Sequence, residues 1–207
     1  VGSGQGSVIR ANDLRLRLYE TLHTYRFRAR SVGMNFGKVS IRPALPSEVE
    51  QLRMIDKEAR KRYLSLKGFE RFAASPPINA ERFEGGETLV AHRLGAAIGF
   101  VFLQIVDDAL YVANVSVLPD ASGQGVGRYL LRATERRARE ISVPAVTLTT
   151  FKEPRWNGPW FRAIGFEPIP EDRIGSGLRS ILDRHATFMD MSIREILWKK
   201  IDRPAPS

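Results

Sequence analysis

Glycines at positions 123, 125 and 127 sit in a run whose residue types and spacing suit the binding of an anion. The run is Val112-Ala-Asn-Val-Ser-Val-Leu-Pro-Asp-Ala-Ser-Gly-Gln-Gly-Val-Gly-Arg-Tyr-Leu-Leu131. It begins as a β-branched stretch, passes through three alternate glycines and turns helical at once. Glycine at alternate positions lets the backbone approach a ligand closely and adopt positive φ. Amides at a helix start lack intrahelical partners, point outward together and carry the positive end of the helix dipole. A pyrophosphate suits such a site. A nucleotide-phosphate loop would end in Gly-Lys-Ser/Thr, whereas Gly127 is followed here by Arg128 and Tyr129. A dinucleotide fold would show G-x-G-x-x-G after its first strand; this spacing is G-x-G-x-G, after several strands. A turn that only reverses the chain is the remaining reading.

The elements that must position this loop follow from periodicity. Val39–Pro43 alternates apolar and polar and reads as a strand. Ser47-Glu-Val-Glu50 is a capping pattern, and Leu52, Ile55 and Ala59 then recur at helical spacing, so 47–66 is helical with a break near Tyr63. Three strands are expected at Thr88–Leu94, Ala96–Ile105 and Leu110–Leu118, joined by short hairpin connections near Gly95 and at Asp107-Asp108. A helix runs from the loop to about Ile141, with a strand over Val143–Thr150 after it. A short helix near Pro159–Ile164, a strand at Phe166, a helix near 175–188 and a strand at Ile193–Lys199 complete the order. The segment 171–191 is longer than a hairpin requires. Lid, dimer surface and packing are its readings, with packing or dimerisation favoured.

The loop and its strand resemble those of the GNAT (Gcn5-related) superfamily of N-acetyltransferases. That family's pyrophosphate loop is Gln/Arg-x-x-Gly-x-Gly/Ala after a strand with a Val-x-Val rhythm. Val115-Ser-Val117 supplies the rhythm, and Ser122-Gly-Gln-Gly125-Val-Gly127 supplies the loop. A second block, Trp156-Asn157-Gly-Pro159-Trp-Phe161-Arg-Ala-Ile-Gly165-Phe166, looks like the family's Asn-x-x-Ala-x-x-x-Tyr-x-x-x-Gly-Phe region in shortened form. The resemblance covers about 38–200. It implies an α/β fold with a mixed, mostly antiparallel twisted sheet of about seven strands flanked by helices, the fourth and fifth splayed around acetyl-CoA.

The resemblance also implies roles. The backbone of Val115, Ser116 and Val117 would pair with the pantetheine arm, as an added strand does. Ser122, Gly123, Gln124, Gly125, Val126, Gly127 and Arg128 would hold the pyrophosphate, Asn157 would meet the arm from the far side, and Trp160 and Phe161 would pack near the thiol. A neutral amine would attack the thioester directly, with the Val117 N–H polarising its carbonyl. Two positions depart from the pattern. Phe161 stands where a tyrosine commonly protonates the leaving thiolate, and Ala113 and Asn114 stand where glutamate is common. Asn114 could hydrogen-bond the substrate amine but is no base. Glu153 and His92 are the candidates left for that part. A non-catalytic acyl-CoA-binding module is the alternative these departures suggest.

Composition bounds the rest. Of the 207 residues 43% are hydrophobic and 27% charged, ordinary globular values that exclude wholesale disorder. There is no cysteine, and the histidines, at 23, 92 and 185, are scattered, so no metal site is expected. No apolar run approaches the ~18 residues of a membrane helix. The net charge is +9, and residues 1–37 carry six arginines against Asp13 and Glu20. That stretch is expected to be a flexible basic leader. A basic arm for nucleic acid or membrane, an arginine-rich targeting peptide and a leader ahead of Met34 with no structure of its own are its readings. The acetyltransferase domain is placed at 38–200 and a tail at 201–207. The expected protein is cytoplasmic, with a small-molecule or peptide amine as acceptor, a homodimer left open, and no nucleic-acid or membrane partner. Arginines 128, 132, 136, 137 and 139 lie on the helix after the loop, where Glu135–Arg139 and Arg136–Glu140 pair at i,i+4.

Overall fold

Apolar side chains at period two along the strands and at period 3.6 along the helices bury both faces of one twisted sheet. A computed structural model describes residues 34–36 and 38–202. The strands are β1 (Met34–Phe36), β2 (Val39–Pro43), β3 (Glu87–Arg93), β4 (Ala96–Val106), β5 (Ala109–Val117), β6 (Ala145–Phe151), β7 (Glu167–Pro168) and β8 (Arg194–Lys200). The helices are α1 (Val49–Arg60), α2 (Glu70–Ala74), α3 (Val126–Glu140), α4 (Gly158–Ala163) and α5 (Ser176–Ala186). In space the strands run β1-β2-β3-β4-β5-β6-β8-β7, and every pairing is antiparallel except β5 with β6.

The expected fold class forms, with one strand more than the seven read from the sequence. The extra strand is β1, which pairs with β2 through Met34↔Ile41 and Phe36↔Val39. Phe36 stacks on Tyr129 with centroids 4.4 Å apart and 11° between planes. β1 falls inside the stretch read as leader; residues 1–33, 37 and 203–207 lie outside those described. The short helix α2, Glu70–Ala74, was also not expected, and elsewhere the boundaries move by a residue or two. The strand expected at Val143 starts at Ala145, because Ser142 takes φ 58° and Pro144 follows before the ladder begins. The strand at Phe166 is two residues, Glu167–Pro168, and Phe166 itself is buried in the core.

The core is layered. On one face α3, through Val126, Leu130, Leu131, Ala133 and Ala138, packs on Leu89, Ala91, Val112, Val146 and Leu148. On the other face Leu52 and Ile55 of α1 cover Val90, Phe100 and Phe102. Leu178 and Ile181 of α5 seal Tyr111. The 171–191 segment thus packs on the sheet and also borders the cleft through His185 and Phe188, and Asp107 fixes the start of its helix: that carboxylate accepts from Gly177 N at 2.8 Å and Leu178 N at 3.0 Å. The two expected pairs of α3 form, Arg136 with Glu140 at 2.9 Å and Arg139 with Glu135 at 3.9 Å, while Arg137 reaches Glu87 at 2.7 Å. Among the described residues no helix is long and apolar enough to cross a membrane.

Gly99 of β4 keeps β5 close. A Cβ there would stand 2.9 Å from the Ser116 carbonyl oxygen and 3.1 Å from Val117 Cγ2. Gly99→Ala is expected to lower unfolding free energy by about 1–3 kcal/mol in urea melts. An unchanged midpoint would mean that the two strands are not held at this spacing.

Candidate active site

β5 and β6 pair in parallel through three residues only, Leu110↔Val146, Tyr111↔Thr147 and Val112↔Leu148. Beyond Val112 they part. The register of β5 against β4 shifts at this point, from Leu103↔Val112 to Phe102↔Asn114, so Ala113 is an extra, bulged residue. A bulge bends its strand and increases its twist, which turns the end of β5 away from β6. An open cleft of about 1820 Å³ lies along the parting, lined by both strands, the glycine loop and the chain that follows α1.

The exposed edge of β5 is well defined. Leu118 N–H donates to Ile98 O at 2.9 Å, toward β4. Alternation along the strand then aims the main-chain groups of Val115 and Val117 the other way, into the cleft. Pro119–Ala121 forms one 3₁₀ turn, Gly123 and Gly125 adopt φ of 76° and 83°, and α3 begins at Val126. The first amide to find a backbone acceptor is Tyr129 N, on Gly125 O at 3.0 Å. Among the described residues the amides from Gly123 to Arg128 have none. Ser122, Gly123, Gln124, Gly125 and Arg128 are exposed, and nothing stands within 4 Å of where a Cβ on Gly123 would be. The Gln124 side chain ties the loop down, accepting from Arg93 and donating to Asp120 O at 2.6 Å. These groups fit a diphosphate and an extended chain beside β5: donors without partners, a positive helix end and no side chain in the way.

The far wall is aromatic. Tyr63, in the 3₁₀ turn after α1, packs among Phe69, Phe72, Phe151 and Trp156. Its hydroxyl donates to Asn157 Oδ1 at 2.7 Å, and Asn157 Nδ2 donates to Thr150 Oγ1 at 3.1 Å. Burial pushes the Tyr63 phenol up, so it stays protonated at neutral pH. Trp160 lies against Gly127, 3.3 Å from where a Cβ would sit, so a larger residue would push the indole by a few tenths of an ångström. Phe161 is buried at 5% exposure with its ring edge-on to Phe166.

On the face covered by α1 a buried polar network meets the cleft. Asp56, 2% exposed, pairs with Arg60 at 2.9 Å and accepts from Asn114 Nδ2 at 3.0 Å and Ser116 Oγ at 3.3 Å. Ser116 Oγ also lies 2.8 Å from Asn114 Oδ1. Arg60 in turn donates to the carbonyls of Ser75 and Pro76, at 3.0 and 2.8 Å. Asn114 thus reaches the cleft, but with its amide already engaged. Farther along, Arg194 Nη2 donates to Thr149 Oγ1 at 2.9 Å, and the guanidinium lies 4.6 Å from the Phe151 ring centroid. His185 borders the same space.

The residues named from the sequence divide accordingly. Val115, Ser116, Val117, the loop 122–128, Asn114, Asn157, Trp160 and Phe161 come together at the cleft, Gln124 holding the loop from outside the lining. His92 does not: it sits between β2 and β4, with Nε2 3.0 Å from Glu48 Oε1 and 3.0 Å from Arg42 Nη2. The hydrogen bond from Arg42 holds the Glu48 carboxyl down at about 2, so this is a structural ion cluster. Glu153 is exposed on the loop after β6 and does not line the cleft. Asp56, Tyr63, Thr149, Thr150 and Arg194 were not singled out. The signal for Asp56 was there, since it interrupts the apolar stripe of Leu52, Ile55 and Ala59 with Arg60 four residues on.

Residues 84–168 match the family model described as the acetyltransferase (GNAT) domain. A GNAT-family acetyltransferase from Staphylococcus aureus Mu50 shares the fold at a TM-score of 0.59 and 15% identity, over 79% of this chain and 99% of that one. The PaiA N-acetyltransferase of Thermoplasma acidophilum, solved with coenzyme A, gives 0.59 and 16% over 79% and 99%. The ribosomal-protein-S18-alanine N-acetyltransferase of Escherichia coli gives 0.58 and 15% over 82% and 97%. The resemblance to the GNAT superfamily carried by the loop is therefore shown, in family model and in fold.

Breaking the buried pair should be costly. Asp56→Asn strands the Arg60 charge, and unfolding free energy is expected to fall by about 3 kcal/mol in denaturant melts. Adding Arg60→Met should recover part of that. Equal loss in single and double variants would mean that packing, not the charge, is at stake.

Proposed function

We propose, from a GNAT-type domain with an open β5 edge, that the chain is an acetyl-CoA-dependent N-acetyltransferase acting on a primary amine of a small molecule or peptide. The observation that carries this reading is the row of acceptor-less amides from Gly123 to Arg128, beside the strand edge of Val115 and Val117. When bound, acetyl-CoA supplies an acyl thioester open to direct attack by the amine. The Val115–Val117 main chain holds the pantetheine arm as a neighbouring strand would be held. The loop amides and the start of α3 hold the diphosphate, with the exposed Arg128 beside them. Val117 N–H, aimed into the cleft, stabilises negative charge on the carbonyl oxygen.

The proton steps fall to groups at the cleft. Phe161 cannot donate a proton, and Tyr63 is the phenol on the far wall that can. A thiol with a pKa near ~8.5 also leaves acceptably as its anion. Holding amine and thioester together supplies much of the rate, since one general acid or base is typically worth about 10²–10⁴-fold. Asp56 fixes Asn114 and Ser116, and so the lip of β5 where the amine enters. Localisation in the cytoplasm belongs to the same reading.

Two measurements test it. Thiol release from acetyl-CoA over a panel of amino acids, polyamines, aminoglycosides and peptide N-termini should find at least one acceptor. Saturable coenzyme A binding with no release on any amine would favour a non-catalytic acyl-CoA-binding module. Gly125→Ala forces a Cβ into the left-handed region at about 1–2 kcal/mol. It is expected to raise KM for acetyl-CoA about tenfold and to lower the melting temperature by about 2–8 °C. An unaltered KM would remove the loop from the cofactor site.

A further inference from the structure

Arg194 opens β8 with its guanidinium turned to the cleft and no carboxylate against it among the described residues. Its sequence neighbour Glu195 pairs instead with Arg162. The Arg194 Nε is buried without an acceptor, and the partners the side chain has are a neutral hydroxyl, Thr149, and the face of Phe151. Burial pushes its pKa down, the mark of a cation removed from water without full compensation. Along the cleft positive charge predominates. The cleft is lined by eight arginines and two aspartates, and both aspartates are committed, Asp56 to Arg60 and Asp190 to the Ser192 amide at 2.8 Å. His185 feels the excess: burial, then the charges of Arg194, Arg82 and Arg184, push its pKa down to about 4. Its Nδ1 too is buried without a partner.

Position gives this unbalanced charge a meaning. Thr149 directly follows Leu148, the last residue of β6 paired with β5. Arg194 therefore stands beside the crotch of the two strands, on the face carrying Tyr111 and α5 and opposite α3. We infer that the acceptor amine carries an oxyanion, a carboxylate or a phosphate, which binds beside Arg194 between β6 and α5. This rests on the transferase reading above. A guanidinium is suited to such a group because its planar donors match two oxygens at once. An anion there relieves a cation that the fold leaves uncompensated, and it directs an amine a few bonds away toward the open edge of β5. A cationic acceptor such as a polyamine would meet repulsion in the same space.

The test uses the full chain with coenzyme A present and probes in matched sets. N-acetyl amino acids, their neutral amides and N-acetyl-O-phosphoethanolamine are titrated calorimetrically. At least one acid form should bind ten- to a hundredfold more tightly than its amide, roughly the worth of one charged hydrogen-bonded contact. Arg194→Gln should bring the acid down to the level of the amide, and Arg194→Lys should keep part of the difference. The ring protons of His185 should titrate at higher pH with the acid bound, because the added negative charge favours the imidazolium facing Arg194, Arg82 and Arg184. Carboxylate or phosphate is decided by which arm binds. Acids and amides binding alike, or no oxyanion binding at all, would overturn the inference; the comparison on the unaltered chain decides even if the variants do not fold. Thiol release is read separately. Oxyanion binding without release on any amine keeps the site and sinks the transferase reading, and release on neutral amines with no acid preference does the reverse.

Discussion

The site depends on a single constraint in the sheet: β5 and β6 pair for three residues and then separate. A strand edge within a sheet is normally satisfied on both sides, and an unpaired one exposes main-chain donors and acceptors to whatever extended chain will complete the ladder. The bulge at Ala113 bends β5, and the small Gly99 lets β4 follow it closely. Opposite, the α4 segment and the aromatic cluster around Tyr63 keep the gap from closing. The opening is thus built from strand geometry and packing, with the buried Asp56 holding Asn114 and Ser116 at its lip.

Charge decides what enters. At the mouth, the helix start and the amides before Tyr129 present partial positive charge, with the Arg128 guanidinium exposed beside them. On the α1 side a full ion pair, Asp56–Arg60, is buried, its charges matched and the Arg60 Nη groups held by the Ser75 and Pro76 carbonyls, which makes it a stiff support for the lip of β5. The Arg194 side differs in kind. There a guanidinium has been taken from water with only a hydroxyl and a ring for company, and a histidine beside it is kept neutral. Three polar arrangements thus stand within one cleft, and the third is the one whose charge has no carboxylate against it among the described residues.

Some of this was legible in the residue order. Glycine at 123, 125 and 127 after Val115-Ser-Val117 points to an anion loop because positive φ and helix-start amides are local properties. Leucine and alanine spacing in α3, and the hairpin signals at Gly95 and Asp107, are local in the same sense. The short β1 was missed because three residues beside arginine-rich sequence show no period of their own; Met34 and Phe36 become strand by pairing with Ile41 and Val39. His92 and Glu153 were chosen as the residues of suitable type near the expected cleft. The fold spends His92 on Glu48 and Arg42 and leaves Glu153 in solvent.

The sequence by itself determined the order of the elements from β2 to β8 save the short α2, the glycine loop at a helix start and the family resemblance, because each rests on residues within a turn or two of one another. Only the tertiary structure decided which polar groups share the cleft. Asp56 meets Asn114 and Ser116, Tyr63 meets Asn157, and Arg194 meets Thr149 across separations of 58 and 60, 94, and 45 residues. Such contacts are set by strand register, by a bulge and by helix docking. Those depend on the whole core packing at once, which no local window contains.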